Sequence, residues 1–97
     1  MPLEFHRAVA SDVSRIMQYY EEVAGRDLAD QFYAELLTFF RKAGDRPESF
    51  GIREHDLRRV NLERFPYHFL FRITAKAVRI LVVRHHRREP SSGSHRR

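Results

Sequence analysis

The sequence predicts an α+β fold in which an αα-hairpin packs on one face of a small, mostly antiparallel sheet, in the order β-α-α-β-β-β. Three observations carry this expectation. The first half of the 97-residue chain holds two long stretches with helical apolar spacing, separated by Gly25-Arg26 alone. The second half holds three short apolar runs, two alternating with a period of two and one apolar on both faces. Glycine and proline stand between these stretches, where chain breaks belong.

The elements follow in order. Leu3 to Arg7 predicts a short strand, with Leu3 and Phe5 alternating against Glu4 and His6. Val9, Val13, Ile16, Tyr20 and Val23 then recur at steps of four and three, one face of a helix that Gly25 ends in an αL stop. Asp27 is the expected N-cap of a second helix with the face Leu28, Phe32, Leu36, Phe39 and Ala43, terminated by Gly44-Asp45-Arg46-Pro47. Tyr33, Leu37 and Phe40 widen that face and predict burial on more than one side, or a seat for a partner. Residues 47–56 lack a consistent period and read as a loop. Val60 and Leu62, alternating with Asn61 and Glu63, predict a second strand, which Phe65-Pro66 breaks because proline cannot donate to a sheet ladder. Tyr67 to Ile73 predicts a third strand and Val78 to Arg84 a fourth, whose Ile80-Leu81-Val82-Val83 suits a central position. The domain is expected over residues 1–90, with residues 91–97 a mobile basic tail.

Composition narrows the function. The chain contains no cysteine, which removes disulfides, zinc fingers and thiol catalysis and suits a reducing, cytoplasmic setting. No apolar stretch resembles a secretory signal or a membrane span, so no membrane partner is expected. Residues 1–50 carry six basic and nine acidic side chains, net −3, whereas residues 51–97 carry twelve and four, net +8. Sixteen of the eighteen cations are arginine. A planar fork suits phosphate and carboxylate, so this asymmetry points to nucleic acid or an acidic protein. The cations gather in Leu57-Arg58-Arg59, Arg64-Phe65-Pro66-Tyr67 and Arg84-His85-His86-Arg87-Arg88.

Histidine titrates nearest neutral pH and is the natural acid or base in this set. His85 and His86, adjacent on a strand, must point to opposite faces, so one at most joins a site on either face. His68 is expected to face solvent, opposite Phe69. The histidines lack the close spacing and carboxylate support of a metal site, so neither metal nor cofactor is expected.

The order of elements resembles the RelE/ParE toxins of bacterial type II toxin–antitoxin systems. So does the opening His6-x-Ala8-x-x-x-Asp12-Val13-x-x-Ile16-x-x-Tyr19-Tyr20-Glu21. Leu28-Ala29-x-x-Phe32, the Pro47–Gly51 loop, Arg58-Arg59-x-x-Leu62-x-Arg64-Phe65-Pro66-Tyr67 and Val82-x-x-His85-x-Arg87-Arg88-x-Pro90 extend the resemblance over residues 3–90. Arg7 stands where such toxins commonly have proline, and no aromatic residue follows Pro90. The resemblance implies a cognate acidic antitoxin as partner and one of two targets. A ParE-like member poisons DNA gyrase. A RelE-like member cuts ribosome-bound mRNA without metal, which would assign Arg59, Arg64, Arg84 and His85 to catalysis. With either target, Arg58, Tyr67, Arg72, His86, Arg87 and Arg88 are expected to contact target or antitoxin. The ending His85-x-Arg87-Arg88-x-Pro90 favours the ParE-like side. A third possibility is an inactive relative that only binds antitoxin.

Overall fold

The structure, a computed structural model, describes residues 1–87 and 93–97. The elements are β1 (Leu3–Phe5), α1 (Val9–Ala24), α2 (Arg26–Asp45), a 3-10 turn at Pro47–Ser49, β2 (Ile52–Glu54), β3 (Leu57–Asn61), β4 (Tyr67–Ile73) and β5 (Val78–His85). The strands form one sheet in the order β1-β5-β4-β3-β2. β1 runs parallel to β5, and every other neighbouring pair is antiparallel. The αα-hairpin crosses one face, here called the inner face, and carries the chain from the β1 edge to the β2 edge.

Gly25 is the whole connection between the helices. Its N–H donates to the Glu21 carbonyl at 3.2 Å, closing α1, and it caps the start of α2. Its φ of +93° and ψ of 169° are extended and left-handed rather than the αL pair expected, a region open to glycine because it lacks Cβ. Asp27 is not the N-cap. It lies in the first turn of α2 without a capping bond, where its charge still complements the helix dipole.

The helix faces meet the sheet through Ala29, Phe32, Leu36 and Ala43 on one side and Phe69, Phe71, Val78 and Ile80 on the other, all fully buried. The Phe65-Pro66-Tyr67 turn packs both rings into this core, with Phe32 5.5 Å from Phe65 and 5.4 Å from Tyr67. The expected loop over 47–56 contains β2, so the sheet has five strands rather than four. Three residues beside a bulged register are too few to show an alternating pattern. β3 begins at Leu57, earlier than the Val60-Leu62 alternation suggested.

One irregularity shapes the outer face. Leu70 pairs with Val82 but Phe71 pairs with Ile80, so Leu81 is an extra residue in β5. It joins Leu57, Leu70 and Val82 in a small apolar cluster away from the helices. β5 is therefore apolar on both faces for two separate cores.

Candidate functional site

The outer face carries a chain of charged and imidazole groups beside that cluster. Alternation on β3, β4 and β5 places Arg59, His68 and Arg84 on this face, and His86 follows just past the end of β5. Arg84 Nη2 donates to Glu54 Oε2 at 2.7 Å, and Arg84 Nε donates to His68 Nε2 at 2.9 Å. His68 Nδ1 lies 2.9 Å from His86 Nδ1, and Arg59 Nη2 lies 3.3 Å from the same His86 nitrogen. Arg59 Nε is fixed in turn on Asn61 Oδ1 at 2.8 Å.

The donors fix the tautomers. His68 Nε2 accepts from a guanidinium and carries no proton, so its Nδ1–H donates to His86 Nδ1. His86 Nδ1 accepts and must be unprotonated. Burial, with the nearby charges of Arg59 and Arg84, pushes the His68 pKa from 6.5 down to about 3. Burial and then Arg59 also lower the pKa of His86. Both rings are neutral at physiological pH, and the positive charge of this face belongs to arginine. His68 was expected at the solvent. It does lie opposite Phe69, but at 2% exposure, because the Arg84 and His86 side chains lie over it. Among the described residues no buried side-chain polar atom lacks a hydrogen-bond partner.

The remaining sequence-selected residues divide among other places. Arg58 faces inward and donates to the Phe50 carbonyl at 2.7 Å. Arg72 forms a two-bond pair with Asp56 at 2.7 and 3.2 Å. Arg64 reaches Gln31 of α2 at 2.7 Å, while Glu35 of the same helix accepts the N–H groups of Glu63 and Arg64. Arg59, Arg84 and His86 thus come together, and Arg64 stands apart on the helix side. His85 points to the inner side, its ring 5.1 Å from Tyr67 and its Nδ1 accepting the Arg87 N–H at 3.0 Å. Arg88 and Pro90 lie outside the described residues.

Asp12 is the residue that sequence reasoning missed as a site. It sits in α1 at 3% exposure, and its carboxylate accepts from the Val83 N–H at 3.1 Å and from Arg15 and Arg96. A signal was present: Asp12 falls between Val9 and Ile16 on the buried stripe of α1, where a charge needs a reason. Residues 93–97, expected as a mobile tail, return to β5. Gly93 is buried against Val82, Arg96 reaches Asp12, and the Arg97 carbonyl accepts from Arg79 Nε at 3.2 Å.

On the helix side, Phe5, Val13, Met17, Tyr33, Leu37 and Phe40 line an open apolar groove. Tyr33 and Phe5 are largely exposed within it, whereas Phe40 is buried. No helix among the described residues is long and apolar enough to cross a membrane.

An αα-hairpin over a mixed five-stranded sheet, with an arginine face and an apolar groove on opposite sides, defines a small basic α+β protein. The chain belongs to the ParE toxin family, described as the ParE toxin of the type II toxin-antitoxin system parDE, which matches residues 3–90. The fold is shared with a solved structure described as the chromosomal ParDE TA system from P. aeruginosa. That similarity has a TM-score of 0.78 at 23% identity and covers 88% of this chain and 95% of the other. No curated protein matches in sequence.

Proposed function

We propose that this ParE-family toxin arrests growth by acting on DNA gyrase and is held inactive by a cognate acidic antitoxin. The observation that carries the reading is the hydrogen-bonded network Glu54–Arg84–His68–His86–Arg59. Metal-independent RNA cleavage needs a base for the 2′-hydroxyl and an acid for the leaving 5′-oxygen, both able to exchange protons near neutral pH. His68 is buried with both nitrogens engaged, and His86 uses Nδ1 to hold it. Of the four side chains that cleavage would require, Arg59 and Arg84 share the outer face, while Arg64 lies against α2 and His85 beside Tyr67. A cationic surface whose histidines are structural suits docking to an acidic protein surface or to DNA-bound enzyme. The apolar groove between the helices supports an antitoxin segment that folds on binding, since it offers apolar area such a segment can cover.

Induced expression with labelled precursors tests the target. Loss of thymidine incorporation with an SOS response, ahead of any fall in amino-acid incorporation, is the expected result. Immediate loss of translation would instead indicate the RelE-like nuclease. Full growth of the induced culture would leave only antitoxin binding.

A further inference from the structure

Beyond His6, whose N–H donates to the Ile80 carbonyl at 2.8 Å, no strand among the described residues continues β1 along this edge of β5. The next two edge groups of β5 are the Leu81 carbonyl and the Val83 N–H, and side chains take them in place of a strand. Asp12 accepts the Val83 N–H at 3.1 Å. Arg96 donates through Nη1 to the Leu81 carbonyl at 3.1 Å and grips Asp12 with both arms of its fork, Nη1 to Oδ2 at 2.7 Å and Nη2 to Oδ1 at 3.2 Å. The recess around this contact is walled by Tyr19, Tyr20, Pro66 and Tyr67. A buried carboxylate under aromatic walls matches the demands of one ligand group: a planar cation that forks onto the carboxylate and lays its face on rings.

We propose that this recess is a receptor for an arginine side chain of a protein partner, and that the chain's own Arg96 occupies it in cis until displaced. One feature makes the occupant exchangeable rather than a permanent staple, and a second makes the exchange testable. Asp12 keeps two other donors when Arg96 leaves, the Val83 N–H and Arg15 Nη2 at 3.0 Å, so the carboxylate is not orphaned. The seat also depends on close packing at one glycine: a Cβ on Gly93 would lie 2.4 Å from Val82 Cγ2, and its φ of +76° is itself unfavourable for other residues. The recess holds one carboxylate, Asp12, beside Arg15, Arg84 and His85, so selection of a forked cation rests on that carboxylate and on the aromatic walls. The inference does not depend on the target being gyrase.

The test uses the full-length, isotope-labelled chain and follows the Val83 backbone amide by NMR. L-argininamide is titrated into wild type and into Arg96→Gln, with L-lysinamide as the point-charge control. An occupant tethered in cis competes at an effective concentration near millimolar, so Arg96→Gln should bind argininamide about tenfold more tightly than wild type. It should also prefer argininamide to lysinamide. A pentapeptide with the sequence of residues 93–97 should shift Val83 in Arg96→Gln and leave wild type unchanged. Gly93→Ala, which unseats the tail and keeps every ligand-binding group, should behave like Arg96→Gln and guards against misfolding of that variant. Equal titration of wild type and both variants, no shift at Val83 in the variants, or equal response to lysinamide would each overturn the proposal.

Discussion

His68 is a neutral ring between Arg84 and His86, and its environment determines what it does at each pH. Because its folded pKa lies near 3 while an unfolded histidine titrates near 6.5, the unfolded chain binds more protons between these values. The stability tied to His68 is therefore fully present above about pH 6.5 and is lost as pH falls toward 3. His68→Leu should cost about 1–3 kcal/mol at pH 7, because Arg84 Nε and His86 Nδ1 lose their partner. That gap should narrow as pH falls from 7 to 4, since leucine has no proton to accept. Denaturant melts of both proteins at each pH check this, and curves that stay parallel would remove His68 from the account. The strand period correctly placed His68 opposite Phe69. Its burial was not legible, because covering it requires Arg84 and His86 from a strand whose register is set by a bulge. Asp12 was legible in principle, since it interrupts an apolar helical stripe. Its partner Arg96, 84 residues away, was not.

At the scale of elements, the αα-hairpin turns on a single residue. Nothing lies within 4 Å of a Cβ placed on Gly25, so space does not forbid a side chain there; backbone conformation does. Gly25→Ala should destabilise the fold by about 1–3 kcal/mol through strain alone. A D-alanine installed by chemical synthesis should recover most of that loss, because positive φ suits the mirror-image residue. Thermal unfolding of the three proteins decides it, and a D-alanine protein no more stable than Gly25→Ala would refute the backbone argument. Both helices were readable because their apolar positions recur over four or more turns. β4 and β5 were readable for the corresponding reason, as long runs bounded by Pro66 and a Thr74–Ala77 turn. β2 was hidden because its three residues, Ile52-Arg53-Glu54, are exposed or half-buried and so carry no apolar signature. Short edge strands are defined by the hydrogen bonds of their neighbours rather than by their own composition.

At the scale of the whole molecule, the charge asymmetry follows from the topology. The acidic half folds into the two helices, while the basic half supplies four of the five strands and the whole outer network. The apolar groove opens on the helix side and the arginines on the other, so an antitoxin segment covering both would meet two kinds of surface. Contacts in the groove are nearly independent of salt, whereas those to the half-exposed Arg59 are screened as the Debye length falls from about 10 Å at 0.1 M to about 3 Å at 1 M. The affinity for the antitoxin should therefore weaken by about tenfold over that range without vanishing, since desolvated apolar area persists. Arg59→Gln should flatten this dependence: it removes one half-exposed cation from the face and leaves the His68–His86 bond and the Glu54–Arg84 pair in place. Tyr33→Ala, in the groove, should lower affinity by a similar factor at both salt concentrations. Calorimetry of the purified pair at both ionic strengths separates the two contributions. An affinity unchanged between 0.1 M and 1 M salt would confine the antitoxin to the helix side and leave the arginine face for the target alone.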